Sequence, residues 1–232
     1  MPTNILQFNN VSYSKGETGL LSNISFAIKE NSIHALLGPN GAGKSTILKL
    51  STSLLEPTVG TIRFFNENLT SNLACIGSMI DSASLYEHLS VFENLYIAAL
   101  QRKIPKTKIP DTLEIVGLEE EHRKKAKNLS MGMRQRLGIA MAIIHTPKLL
   151  LLDEPANGLD PEGVIGIRRL LMTLKKELGV AVFFSSHILN EVDKIAQEIT
   201  FIKHGRILFS GNLQEFKSDN NLETGYLNRL DI

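Results

Sequence analysis

Ile33-His34-Ala35-Leu36-Leu37-Gly38-Pro39-Asn40-Gly41-Ala42-Gly43-Lys44-Ser45 is the stretch that decides how this chain is read. Ile33–Leu37 has the composition of a strand covered on both faces. It runs into Gly38–Ser45, which satisfies GxxxxGK[ST] at every fixed position, and helical spacing follows over Ser45–Leu55. Strand, glycine loop and helix in that order are the context in which the pattern signals phosphate binding. Glycines let backbone N–H groups wrap around phosphate oxygens, and the helix N-terminus adds partial positive charge. The candidate phosphate contacts are Gly38, Pro39, Asn40, Gly41, Ala42, Gly43, Lys44, Ser45 and Thr46. Lys44 is expected to bridge the β- and γ-phosphates, and the Ser45 hydroxyl to ligate Mg2+.

Further along, Leu149–Leu152 and Val180–Phe184 are again wholly apolar, as expected of parallel strands with helices on both sides. Asp160-Pro161 has the form of a helix start, Asp as N-cap and Pro in the first turn, and that helix is expected to run to Leu178 and stop at Gly179. The alternation predicts an α/β core. Ile5–Val11, Ile24–Ile28 and Thr61–Phe65 alternate like antiparallel strands beside it. From Asp81 to Gly138 the character turns helical, around Val91–Arg102 and Asp111–Val116, which predicts a helical lobe inserted into the sheet domain. The expected division is thus 1–80 with 139–217 as core and antiparallel β subdomain, and 81–138 as helical subdomain. The polar stretch Ser218–Ile232 has the look of a loosely packed tail.

Composition sets bounds. Length allows one large domain or a domain with an inserted lobe. With 25 basic against 24 acidic residues and an apolar fraction of 43%, the chain lacks the basic excess of a nucleic-acid binder. One cysteine, Cys75, excludes an internal disulfide and fits a reducing cytosol. No basic-then-apolar signal pattern opens the chain, and no segment approaches the roughly 18 apolar residues of a membrane span. Work at a membrane would need another chain to supply the spanning part.

Leu149–Leu152 ends in Asp153 and Glu154. Asp153 is placed to hold Mg2+, and Glu154, one residue on, to polarise the attacking water as general base. Upstream, Leu129-Ser130-Met131-Gly132-Met133-Arg134-Gln135-Arg136 opens a helix predicted from Ser130 to about His145, so the Ser130 hydroxyl and the Gly132 N–H sit at its N-terminus. By itself that is an N-capped amphipathic helix. Followed one helix later by an apolar strand ending in two acids, it resembles the ATP-binding subunit of an ABC transporter, over nearly the whole chain.

That resemblance implies a P-loop NTPase (RecA-like) α/β core with an N-terminal antiparallel β subdomain and an inserted α-helical subdomain. It implies that Ser130 and Gly132 meet the γ-phosphate of ATP held by a second subunit. The family pattern is LSGGQ, and Met131 and Met133 here replace its first glycine and its glutamine. Gly158-Leu159-Asp160 resembles the D-loop, where Asp160 communicates across the dimer. His187, after the strand Ala181–Ser186, stands where the family carries its switch histidine, which bonds the γ-phosphate and holds the attacking water. The family's glutamine between core and helical lobe aligns with Asp81, a candidate Mg2+ ligand one methylene shorter than the glutamate of the branch that Ile76–Leu95 resembles, lantibiotic immunity and bacitracin-type peptide export. For adenine stacking, the expected place holds Lys15; the nearest aromatic, Tyr13, either stacks on the base or belongs to the core.

The expectation is a cytoplasmic ATPase, peripheral on the inner face of the membrane. Two copies dimerise head to tail around two ATP and drive an integral membrane permease that exports a peptide antibiotic, without nucleic acid. The helical lobe, the Asp81 loop, Leu85 and Tyr86 would dock on the permease. The rivals are a non-transport ABC-type ATPase or one serving another cargo, a different P-loop enzyme such as a kinase, and a module that reads ATP without splitting it.

Overall fold

The computed structural model describes residues 3–81 and 83–230. In chain order the strands and helices are β1 (Asn4–Lys15), β2 (Thr18–Lys29), β3 (Ile33–Leu37), α1 (Lys44–Ser51), β4 (Val59–Phe64), β5 (Glu67–Asn68) and β6 (Ile76–Met79). Then follow α2 (Val91–Gln101), α3 (Ile109–Ile115), α4 (Met131–Ile143), β7 (Leu149–Leu152), α5 (Pro161–Leu178), β8 (Ala181–Ser186) and α6 (Leu189–Ile195). β9 (Glu198–Lys203), β10 (Arg206–Asn212), α7 (Leu213–Phe216) and α8 (Leu222–Leu230) complete it.

The strands form two sheets. One is antiparallel with order β2-β1-β4-β5; the other has order β10-β9-β3-β8-β7-β6 and is parallel except where β10 pairs with β9. β3, β7 and β8 are buried along their whole length, which is why they read as unbroken apolar runs. Successive side chains of a strand point to opposite faces, and here the faces belong to different cores. Ile33, Ala35, Leu37, Leu150, Leu152, Val182 and Phe184 join a core with α2, α3, α4 and α5. Leu36, Leu149, Leu151 and Phe183 join another with Ile47, Leu48 and Leu50 of α1 and the antiparallel sheet. β3 and the glycine loop after it therefore rise from the boundary between the two.

Local chemistry sets the helix ends. Ser90 and Glu93 form a reciprocal capping box at the start of α2: the Ser90 hydroxyl accepts from the Glu93 N–H, and the Glu93 carboxylate from the Ser90 N–H at 2.7 Å. At α5, Asp160 Oδ1 accepts from the Gly163 N–H at 2.7 Å, and Gly179 closes the helix with φ 64. Helix α1 is shorter than the Ser45–Leu55 expected. The Thr52 hydroxyl donates to the Lys49 carbonyl at 3.0 Å and Ser53 takes φ 55, which ends the helix at Ser51.

The C-terminal stretch corrects the expectation of a loose tail. Asn221 Oδ1 accepts from the N–H groups of Glu223 and Thr224 at 2.8 and 3.2 Å and starts α8, which buries Leu222. The Arg229 guanidinium lies 5.0 Å from the Phe209 ring centroid and 4.5 Å from that of Phe216, so the polar face carries a cation onto aromatic rings. Ile232 lies outside the described residues. Among those described, no helix is long and apolar enough to cross a membrane.

Candidate functional site

The glycine loop leaves β3 and enters α1 at Gly43, whose φ of 108 suits glycine and whose missing β-carbon leaves room for Leu21 Cδ2, which a β-carbon would approach to 2.7 Å. Among the described residues no side chain caps α1, so its first N–H groups face outward with the helix dipole behind them. They open onto a cavity of about 340 Å³ lined by Asn40, Gly41, Gly43, Lys44, Ser45 and Thr46, with Leu20 and Glu154 at its edges. Pro39 and Ala42 brace the loop from within: the Ala42 N–H donates to the Pro39 carbonyl at 3.2 Å, and the Gly205 N–H to the Ala42 carbonyl at 3.1 Å.

Lys44 is buried, yet its ammonium is fully engaged. It donates to the carbonyls of Gly38 at 2.8 Å and Pro39 at 3.2 Å, and lies 3.4 Å from Glu154 Oε1. The other carboxylate oxygen of Glu154 is 3.1 Å from His187 Nδ1. Lys44, Glu154 and His187, far apart in sequence, thus form one chain of contacts at the mouth of the cavity. Glu154 sits at φ 46, a left-handed backbone that costs a non-glycine residue of order 1 kcal/mol and is commonest at functional sites. Half-buried Glu191, on α6 in the turn after His187, has its carboxyl pushed above the ordinary range, chiefly by burial and against the nearby His187 and Arg168 charges.

Asp153 is buried at the end of β7, and one of its oxygens accepts from the Ser185 hydroxyl at 2.5 Å; the Ser185 oxygen in turn accepts from the Glu154 N–H at 2.8 Å. Ser185 therefore holds both acids, a part the sequence reading did not give it. Asp153 forms no ion pair among the described residues. A buried carboxylate without a cation, beside a phosphate cavity carrying the Ser45 hydroxyl, is a hard-oxygen set that fits Mg2+ sharing its shell with phosphates and water.

Ser130 and Gly132 lie elsewhere. The Ser130 hydroxyl caps α4, accepting from the Met133 N–H at 3.3 Å, and both residues line a second cavity of about 640 Å³ with Gly158 and Asp160. The two cavities share no lining residue, so within one chain Ser130 and Gly132 do not meet Lys44. Arg134, one turn into α4, donates to the Ala126 carbonyl at 2.9 Å and pairs with Glu87, linking this helix to the loop before α2.

Asp81 has φ 68, and its side chain, 67% exposed, pairs with Lys49 Nζ of α1 at 3.0 Å. Tyr13 packs, partly buried, on the core shared with the antiparallel sheet, and the apolar residue on the rim of the phosphate cavity is Leu20. Tyr86 is 44% exposed, whereas Leu85 is half-buried against the helical core. Both edge a groove with Ile97, Gln101 and Met141.

Residues 21–157 match the family described as ABC transporter. Over 227 residues the chain is 40% identical to the bacitracin transport ATP-binding protein BcrA of Enterococcus faecalis, a match spanning 96% of this chain and 74% of that protein. It is 39% identical over 227 residues to the lantibiotic transport ATP-binding protein SrtF of Streptococcus pyogenes, across 97% of each. Among solved structures, cbiO1 from Clostridium perfringens, part of the ABC transporter complex cbiONQ, superposes with a TM-score of 0.87 at 29% identity, covering 99% of this chain and 100% of that one. A family match over more than half the chain, with relatives at this identity along nearly all of it, makes this protein a member of the ABC transporter family, of the ATP-binding and ATP-hydrolysing kind.

Proposed function

We propose that two copies of this chain close head to tail around two ATP molecules and drive a membrane permease that exports a peptide antibiotic. The observation that carries the reading is the separation of the two cavities. The Lys44 cavity has the groups that grip and split a triphosphate. The Ser130 cavity has a second helix N-terminus suited to anions, and one chain cannot bring both to one phosphate. A second copy, turned about, can.

In that arrangement the backbone of Gly38–Thr46 cradles the phosphates and Lys44 pairs with the β- and γ-oxygens. Phosphate then replaces Glu154 as the anionic neighbour of Lys44, and the carboxylate turns to the attacking water and takes its proton. His187, now bonded to Glu154, holds that water and the γ-phosphate. Mg2+, held by the Ser45 hydroxyl and the Asp153 carboxylate, would neutralise charge building between the β- and γ-phosphates. Asp81 takes no direct metal role in this reading. It fastens the loop leading to the helices onto Lys49. Leu20 fits the place where the nucleotide leaves the phosphate cavity, and Tyr13 is core. The groove edged by Leu85 and Tyr86 receives the permease, which keeps the ATPase on the inner face of the membrane. The peptide cargo rests on the named activities of the bacitracin and lantibiotic relatives.

The test is the Glu154→Gln protein, sized with and without Mg-ATP beside wild type. Hydrolysis is expected to fall by roughly 10²–10⁴-fold, the usual worth of a general base, while ATP shifts the variant to dimer. A variant that binds ATP at high concentration yet stays monomeric overturns the two-chain site.

A further inference from the structure

Met131 occupies the position of the family's first signature glycine, and the structure gives its side chain a defined seat. It is 55% exposed at the first turn of α4. Its thioether reaches across to the loop before α5 and rests on the bare face of Gly158. A β-carbon on Gly158 would lie 2.9 Å from Met131 Cε and 3.5 Å from Sδ. Gly158 has φ 73, so this turn favours glycine both for its backbone and for the methionine that covers it. Alongside, the first turns of α4 and α5 abut, a β-carbon on Gly132 lying 3.8 Å from Gly163 Cα. Ser130, Met131, Gly132, Gly158 and Asp160 all line the same cavity.

We propose that Met131 is a positioning residue that keys the Gly158–Asp160 loop to the Ser130 turn, so that both reach the partner copy's nucleotide as one piece. The inference rests on the two-chain reading above. A thioether on three rotatable bonds fills an irregular gap against a backbone face at little rotamer cost and stays soft enough to adjust as the dimer closes. Glycine at 131 leaves that face of Gly158 without a contact, and the two loops then have to be ordered separately when the second copy arrives, which adds to the entropy lost on association.

The experiment uses the full-length Glu154→Gln chain as parent, titrated with Mg-ATP and followed by sizing and light scattering. Met131→Gly and Met131→Ala are each expected to raise the ATP concentration for half-maximal dimer by about tenfold, and Met131→Leu, which restores apolar bulk on Gly158, to return it to within about twofold of the parent. Binding of a fluorescent ATP analogue to the monomer should stay within about twofold in all three, because Met131 does not line the Lys44 cavity. Alanine removes the thioether while keeping a good helix former, so the result does not depend on a glycine in the first turn. If the alanine variant dimerises at the parent's ATP concentration, or the leucine variant is as impaired as the alanine one, the positioning role is wrong. If the parent itself fails to dimerise, the two-chain reading fails first.

Discussion

Acid should loosen the strand beneath the phosphate loop, and the size of the effect can be worked out from one residue. His34 on β3 is 1% exposed, with its ring 5.5 Å from that of Phe183 in an edge-on arrangement. Its Nε2 bonds the Thr200 hydroxyl at 2.8 Å, and its Nδ1 has no partner among the described residues. Burial, and then the Lys29 charge, pushes its pKa down from 6.5 to about 3. Above pH 6.5 both folded and unfolded chains hold this histidine neutral, and it contributes nothing to pH dependence. As pH falls below 6.5 the unfolded chain takes up a proton that the folded one refuses, so stability drops until the folded histidine also protonates near 3. At 1.36 kcal/mol per pH unit, the loss between pH 7.5 and pH 5 is about 2 kcal/mol. His34→Leu removes the titration, keeps the volume apolar, and leaves the Thr200 hydroxyl its bond to Ser210 at 2.9 Å. The neighbouring Lys29–Glu198 pair, 2.6 Å apart, is present in both proteins and cancels. Urea unfolding of wild type and variant at the two pH values gives the double difference. Wild type is expected to lose about 2 kcal/mol more than His34→Leu. Equal losses would refute the reasoning, since burial would then not be holding the ring neutral.

Three further outcomes follow from contacts already described. Ser185→Ala withdraws the hydroxyl that holds Asp153 and the Glu154 amide, and steady-state kinetics should show kcat falling by about tenfold, the worth of roughly 1.4 kcal/mol of lost positioning, with a smaller change in KM. Gly77→Ala would set a β-carbon 2.1 Å from the Ala142 carbonyl oxygen, forcing β6 away from α4; calorimetry should find a loss of about 1–3 kcal/mol. Arg229→Ala uncovers Phe209 and Phe216, and a thermal melt should fall by a few degrees, on the order of 1 kcal/mol for a cation held on aromatic faces; an unchanged melt would return the C-terminal stretch to the loose tail the sequence suggested.

What could be read in advance was what is encoded locally. The glycine loop, the Asp160-Pro161 start and Gly179 stop of α5, and the all-apolar strands each carry their signal within a few residues, and the structure keeps α5 at Pro161–Leu178. What could not be read depends on neighbours distant in sequence. α8 is held by a glycine against the Phe216 carbonyl and a guanidinium on two rings, none of it visible in a polar string. Ser185 looked like context for His187; only the pairing of Leu152 with Phe184 brings it level with Asp153. Asp81 had a family position but no foreseeable partner, because Lys49 lies on α1, distant in sequence. The strands β6, β9 and β10 were not foreseen, although His204 and Gly205, with φ 48 and 69, make a two-residue turn between β9 and β10; their assignment comes from the sheet they complete.

The division of β3 between two cores has a genetic consequence. Because alternate residues of this strand answer to different sets of neighbours, lesions that slacken the phosphate loop should fall into two complementation-like classes. A defect at Leu36 is open to suppression by a refitted neighbour such as Leu48 or Phe183, whereas one at Ala35 or Leu37 calls for a change among the residues packed with Leu150 and Phe184. Within a class, paired substitutions in contact interact; across classes, those more than about 7–10 Å apart should simply add in their effects on stability. A suppressor screen begun from one lesion in each face would therefore map the loop's foundations without reference to nucleotide at all.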